Sequence, residues 1–336
     1  MKILCIADDF IPAEYIEEGF LGFPELAEAA EIRTWHHESV EALQRDNLLV
    51  EQGGPDAIPT PAGLFDGVEE FDAVVTQFCP VPASVIERGE RLRAIGVLRG
   101  GAENVDAGAA AARGVSVVNT PGRNAEAVAE FTLGMILTEI RNIARSQENL
   151  HQGSWDRDFP NGAEIPEIEG KTVGIVGLGQ IGRKVAAFVE VMGAHVAFYD
   201  PWVSESGRWT RYQDVAELAE VADILCVHAR LTPETHHLVS ADVLAAMKPT
   251  AVLVNTARSG LVDEQALVGA LREGRIMGAA IDTFDVEPLP ADHPFVTLPN
   301  ATITGHLAGS TADAFKKTPR LLAPRLIDAL RGVSSS

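Results

Sequence analysis

Cysteine is scarce in this chain of 336 residues, with three in all, Cys5, Cys79 and Cys226. They stand far apart and show no metal-ligand spacing. Cys5 and Cys226 sit in apolar runs and read as buried thiols rather than disulfide partners, so a reducing, cytoplasmic setting is expected. Basic residues are also few. Lys and Arg total 27 against 48 Asp and Glu, for a net charge of −21. Phosphates would be repelled, which excludes nucleic acid and an anionic membrane as partners. No apolar stretch is long enough to span a bilayer; the run around Phe131 to Ile140 carries Glu130 and Glu139. The opening segment reaches Asp8 and Asp9 too early for a signal peptide and reads as a first strand. Internal repeats and low-complexity tracts are absent, and only Ser334 to Ser336 is expected to fray.

The most specific feature present is Gly177-Leu178-Gly179-Gln180-Ile181-Gly182. It follows the apolar run Thr172 to Val176 and opens a predicted helix, Arg183 to Met192. The next apolar run, His195 to Tyr199, is closed by Asp200. Strand, glycine turn, helix, strand and acid form the dinucleotide-binding fingerprint in its proper context. Gly177 permits the tight turn, Gly179 lets a pyrophosphate approach the backbone, and Gly182 lets helix and strand pack closely. Gln180 and Ile181 follow at the helix N-terminus, whose N–H groups face the phosphates. Asp200 is placed to accept from the adenosine ribose hydroxyls. Its charge disfavours a 2′-phosphate, although Arg208 and Arg211 follow in a loop.

The length suggests about two domains. Strands are expected at Lys2–Ala7, Ala73–Thr76, Ala94–Leu98 and Val115–Val118, with Pro82–Arg91 as an intervening helix. That rhythm implies a parallel sheet. Ala13–Gly19 and Pro24–Ala30 read as short helices or turns, Ser39–Asn47 as a helix and Gln52–Gly63 as a loop. Asn124–Glu148 reads as one long helical segment, and His151–Gly170 as an extended arm. Later strands are expected at Ile224–His228, Ala251–Asn255, Ile276–Ile281 and Ala301–Thr304, with helices at Ala241–Met247 and Asp263–Glu273. The fingerprint therefore sits in mid-chain, as in a cofactor domain inserted into a second domain. The expected division is 1–117 with 305–336, and 118–304 between them. Thr311–Arg331 would return to the first domain.

Four further segments accompany the fingerprint: Arg99 to Asp106, Val254 to Glu264, Asp282 to Pro288, and Gly305 to Gly309. In this order they resemble the D-2-hydroxyacid dehydrogenase family, in its phosphoglycerate-dehydrogenase-like branch, from about Ala73 to Ala314. The resemblance implies an α/β fold of two doubly wound parallel-sheet domains, a Rossmann domain inserted into a flavodoxin-like substrate domain. It implies NAD as cofactor, a small 2-hydroxy or 2-keto acid as substrate, a cleft between the domains and a homodimer. The catalytic trio by motif position is Arg258, Glu287 and His306. Arg258 would fork onto the substrate carboxylate and polarise the carbonyl. His306 would exchange the proton, and Glu287 would hold one ring nitrogen and favour the imidazolium.

The same resemblance sets His228, Ala229, Thr256, Ala257, Arg258, His306, Ala308 and Gly309 beside the cofactor, with Asp282 on its carboxamide. Gln77 and Phe78, after one early strand, and Gly100 and Gly101, after the next, are expected to meet the substrate. No metal is implied; His36-His37 and His236-His237 lack a convergent acid cluster. Gly305 stands where the family often has proline. Ala102 and Ala229 replace frequent hydroxyl residues, which speaks against 3-phosphoglycerate. With the chain ending at Ser336, no amino-acid-binding regulatory domain is expected. Two rival readings share the fold: a nucleotide-sensing protein or corepressor, and a phosphite or formate oxidoreductase. Glu287 speaks against formate, whose enzymes pair the histidine with glutamine.

Overall fold

A computed structural model describes residues 1–162, 164–204 and 207–332. The frayed end expected at Ser334 to Ser336 lies outside the described residues. Two compact units emerge, Met1–Asn124 with Thr311–Ser336, and Ala125–Ser310. The crossings thus fall after Asn124 and Ser310, rather than after 117 and 304. His306, expected just inside the returning segment, belongs to the inserted unit.

The first unit is built on β1 (Ile3–Ala7), β2 (Ala30–Thr34), β3 (Ala73–Thr76), β4 (Ala94–Val97) and β5 (Ser116–Asn119). They run parallel in the order β2-β1-β3-β4-β5. The β1, β3 and β4 side chains are buried throughout, which explains their unbroken apolar sequences: a parallel sheet is covered on both faces. β2 was not anticipated. It carries Glu31 and Arg33, is only partly buried and lies at the sheet edge. The final helix, Ala312–Arg331, rejoins this unit because Leu322, Ala323, Leu326 and Leu330 pack with Ile3, Cys5 and Val75. Each such buried leucine is worth roughly 1.5–3 kcal/mol over an exposed one.

The second unit holds β6 (Thr172–Val176), β7 (His195–Tyr199), β8 (Thr210–Arg211), β9 (Ile224–Val227), β10 (Val252–Asn255), β11 (Gly278–Ile281) and β12 (Ala301–Ile303). All are parallel, in the order β12-β11-β10-β9-β6-β7-β8. The order reverses between β6 and β9, which makes a crevice outside their carboxyl ends. The long helical segment is in fact two helices, Ala125–Ile140 and Ile143–His151. They break at Asn142, whose φ of 56° is left-handed; its buried side chain donates to Asn161 at 2.8 Å. The arm's first residue, His151, still ends the second helix; the arm's other described residues hold no helix or strand, and Trp155 is exposed.

Glu139, near the end of the first of these helices, is buried. Arg145 clasps it with two 2.8 Å hydrogen bonds and the Thr302 hydroxyl donates to it at 2.5 Å. Burial raises the carboxyl above its ordinary range, against the opposing pull of Arg145. The cluster ties this helix to β12, the strand that leads to His306. All three cysteines are free and buried, and burial pushes Cys5 and Cys226 up to about 12. No helix among the described residues is long and apolar enough to cross a membrane.

Candidate active site

The glycine turn leaves β6 at the switch point. Gly177 has a φ of 95°, and a Cβ there would lie 2.6 Å from the Ala229 nitrogen. Only glycine meets both conditions. A Cβ on Gly182 would run into the carbonyl oxygen of Gly177. Gly179, by contrast, is exposed, and its Cβ position is open space. It caps the helix Gln180–Val191 without a side-chain hydrogen bond, which leaves the first N–H groups facing outward. This cradle fits a pyrophosphate. Gln180 is exposed beside it, while Ile181 is partly buried against the core.

Asp200 closes β7 and is buried. One carboxylate oxygen accepts from the Leu178 N–H at 2.8 Å and the other from the Trp202 N–H at 2.8 Å. It therefore fastens the glycine turn to the neighbouring strand end. Arg211 donates to the Asp200 carbonyl at 3.3 Å, and Arg208 pairs with Glu190 at 3.2 Å. His228, at the end of β9, has both ring nitrogens buried without a partner. Burial pushes it down to about 4, so the ring is neutral near pH 7. An unsatisfied ring at the switch point is what a bound dinucleotide would complete.

β10 delivers Arg258 through a braced turn. The Asn255 side chain is buried; its oxygen accepts from the Ala257 N–H at 3.0 Å and its amide donates to the Arg258 carbonyl at 2.9 Å. Thr256 is buried, and its hydroxyl meets that of Thr132 at 2.7 Å. Ala257 accepts from the Arg258 guanidinium at 2.8 Å. In the sequence Asn255 stands only within a motif; its bracing role needs the turn's geometry.

β12 delivers His306. Its φ of 54° is unusual for a residue with a side chain, and such a conformation persists only where surrounding bonds enforce it. Asp282, fully buried at the end of β11, supplies them. One of its oxygens accepts from the Thr304 hydroxyl at 2.6 Å and the Leu307 N–H at 2.9 Å, and the other from the Ala308 N–H at 2.9 Å. Asp282 was expected on the cofactor carboxamide; its observed partners are the histidine loop. Ala308 is buried by this bond, and Gly309 follows, partly buried.

His306 Nδ1 lies 2.8 Å from Glu287, whose other oxygen accepts the Phe284 N–H at 2.9 Å. The hydrogen bond to Glu287 raises the histidine above its ordinary value, outweighing partial burial and the nearby Arg258 charge. Burial works to raise Glu287, but its bond to His306 prevails and holds the carboxyl low. The trio therefore gathers on one edge of one sheet. It offers a fixed cation, an oriented acid–base ring and the carboxylate that tunes it.

Residues 133–308 match the NAD-binding domain of the D-isomer specific 2-hydroxyacid dehydrogenases. The chain belongs to that family. The dinucleotide of this dehydrogenase domain is NAD. Among curated relatives, the chain is 38% identical over 278 residues to the D-3-phosphoglycerate dehydrogenase of Methanocaldococcus jannaschii, covering 81% of this chain and 52% of that one. It is 36% identical over 294 residues to the glyoxylate reductase of Thermofilum pendens, covering 84% and 86%. The chain thus spans about half the length of the phosphoglycerate dehydrogenases it matches. Among solved structures, the TT0316 protein of Thermus thermophilus superposes with a TM-score of 0.78 at 30% identity, covering 99% and 97% of the two chains. The fold is also that of an NAD-complexed D-isomer specific 2-hydroxyacid dehydrogenase from Lactobacillus delbrueckii, with a TM-score of 0.80 at 24% identity.

In the first unit, the expected substrate residues lie at the carboxyl ends of β3 and β4. Gln77 is buried, and the partly exposed Phe78 lies under the Arg99 guanidinium, 4.0 Å from it. Gly100 is exposed and accepts from the Asn119 amide at 2.6 Å; Gly101 is partly exposed.

Proposed function

We propose that this protein is an NAD-dependent dehydrogenase that interconverts a D-2-hydroxy acid and its 2-keto acid. The observation that carries the reading is the 2.8 Å His306–Glu287 pair, with Arg258 close enough to alter its electrostatics. Gly177, Gly179, Gln180, Ile181 and Gly182 would hold the pyrophosphate and Asp200 the ribose. His228, Ala229, Thr256, Ala257, Ala308 and Gly309 would line the remainder of the dinucleotide. Bound NAD supplies the hydride acceptor for oxidation, and its reduced form the donor for reduction.

This chain's residues do the rest. The Arg258 guanidinium binds the substrate carboxylate and draws charge toward the C2 oxygen. In reduction, His306 is protonated through its bond to Glu287 and donates that proton to the C2 oxygen as hydride reaches C2. In oxidation, neutral His306 removes the hydroxyl proton. Asp282 keeps the ring's loop in place through three hydrogen bonds. Gln77, Phe78, Gly100 and Gly101 are assigned to substrate recognition, and a cytoplasmic homodimer completes the proposal on family resemblance.

A panel of 2-keto acids with NADH tests the reading, scored by loss of nicotinamide absorbance. Aliphatic, aromatic, phosphorylated and sugar-derived members belong in it, with formate and phosphite run against NAD. Reduction of at least one keto acid to the D-hydroxy acid is expected. Tight NADH binding without turnover on any member would favour the nucleotide-sensing alternative.

A further inference from the structure

The three residues assigned to the reaction arrive on separate segments, and Glu287 lies on the least regular of them. Arg258 follows β10 and His306 follows β12, whereas residues 284–288 form no helix or strand, with Asp285, Val286 and Pro288 exposed. Glu287 nonetheless keeps one oxygen 2.8 Å from the His306 ring. Its bond to the Phe284 N–H lies within the same loop and does not fasten that loop to its surroundings.

Glu264 supplies an outside tie. It is the first residue of the helix Glu264–Arg272, and its side chain is 14% exposed. One carboxylate oxygen accepts from the Asp285 N–H at 3.1 Å, and the other lies 3.1 Å from His293 Nε2. His293 Nδ1 accepts from the Phe295 N–H at 3.3 Å and so caps the short helix Pro294–Val296. An accepting Nδ1 puts the ring proton on Nε2, so one neutral ring donates to Glu264 while it accepts from Phe295. The rings follow the same line. His293 lies 5.2 Å from Phe295, and Phe295 lies 6.1 Å from Phe284, both phenylalanines being buried.

Glu264 thus joins three approaches to one place. It begins the helix that follows the Arg258 turn, it holds the backbone of the Glu287 loop, and through His293 it fixes the segment that runs into β12. Bonds made to an ionised carboxylate are stronger than neutral ones, which suits an anchor for an exposed loop.

We propose that Glu264 and His293 form a positioning couple, which holds residues 284–288 so that Glu287 stays on the His306 ring. The proposal rests on the catalytic reading of Glu287 and His306. The couple takes no proton from substrate and acts through Glu287 alone. The charged groups that act on His306 are Glu287, Arg258 and Asp282, and the bond to Glu287 is what raises it. Titration of the His306 ring therefore reports whether Glu287 is held.

Nuclear magnetic resonance titration of that ring in the full chain tests this. Glu264→Ala should lower it toward the ordinary histidine value. The same change in a Glu287→Gln background should lower it no further, because the couple then has no charge to position. An unmoved ring in Glu264→Ala overturns the proposal, as does an equal shift in both backgrounds. His293→Ala should also lower the titration, and His293→Gln, whose amide still donates to Glu264, should restore it; equal loss in the two variants contradicts the couple. In keto-acid reduction, Glu264→Ala should cost about tenfold in kcat at unchanged NADH affinity, and a wild-type kcat counts against it. The titration needs no turnover, so a chain that reduced no keto acid would defeat the catalytic reading while the ring still decided this one. The wild type gives a reading free of any variant. Its Asp285 amide should exchange slowly although the residue is exposed, and exchange at the rate of an unbonded amide contradicts the tie.

Discussion

The two parallel sheets finish their carboxyl edges differently. Around His306 the second unit supplies most of its own partners, the buried Thr283 hydroxyl excepted. Asp282 accepts three bonds, Asn255 braces the Arg258 turn with two, and Glu287 spends one oxygen on the ring and one on the backbone. In the first unit, Gln77 and Arg123 are buried with hydrogen-bonding positions unfilled. His228 repeats that open character at the second unit's own switch point. Groups that must hold a reacting side chain still carry their partners within the fold. Groups that would meet a ligand on the proposed reading leave positions for it, at a cost to stability that binding would recover.

The closed side can be broken from behind. Glu139→Ala leaves Arg145 without its buried partner and frees β12 from the adjoining helix. Unfolding free energy should fall by about 3–5 kcal/mol, read by denaturant titration; a loss within the range of an exposed ion pair would mean the cluster braces nothing. A smaller effect separates clamp from charge. Arg258→Lys keeps the cation and loses the fork, so kcat/KM for the keto acid should drop by roughly 10- to 100-fold, the worth of one charge-assisted hydrogen bond. Wild-type kcat/KM would refute the clamp.

The subtlest change is in pH dependence. Glu287 raises the His306 pKa, so reduction should hold while the ring stays protonated and decline as pH rises through that raised value. Glu287→Gln removes the charge, and the declining limb should move to lower pH. The sign for stability follows. The raised histidine contributes fully below its ordinary value and loses that contribution as pH rises through the raised one. The lowered Glu287 carboxyl contributes above its ordinary value and loses that as pH falls through the lowered one. The pair is complete between the two ordinary values. An unmoved limb in the variant would remove Glu287 from the tuning role.

Much of this was legible in the sequence, for a physical reason. Strands buried on both faces read as unbroken apolar runs, so Ala73–Thr76 and His195–Tyr199 were located to the residue. The glycine turn announces itself because backbone closeness admits no other side chain. The edge strand Ala30–Thr34 hides behind its charges, and two-residue β8 is too short to leave a pattern. The helix break at Asn142 depends on a buried partner 19 residues away. Asp282 was singled out, but its grip on the loop spans 22 to 26 residues of chain. Arg123 belongs to none of the sequence motifs. Its burial over the Phe315 ring is a tertiary fact that no local pattern carries.

On the proposed reading His306 moves the proton. Steady-state reduction of the preferred keto acid by His306→Ala tests it most directly, with NADH affinity measured alongside. The kcat should fall by roughly 10²- to 10⁴-fold, the usual worth of a positioned acid–base group, at unchanged NADH affinity. A kcat equal to the wild type's would contradict it.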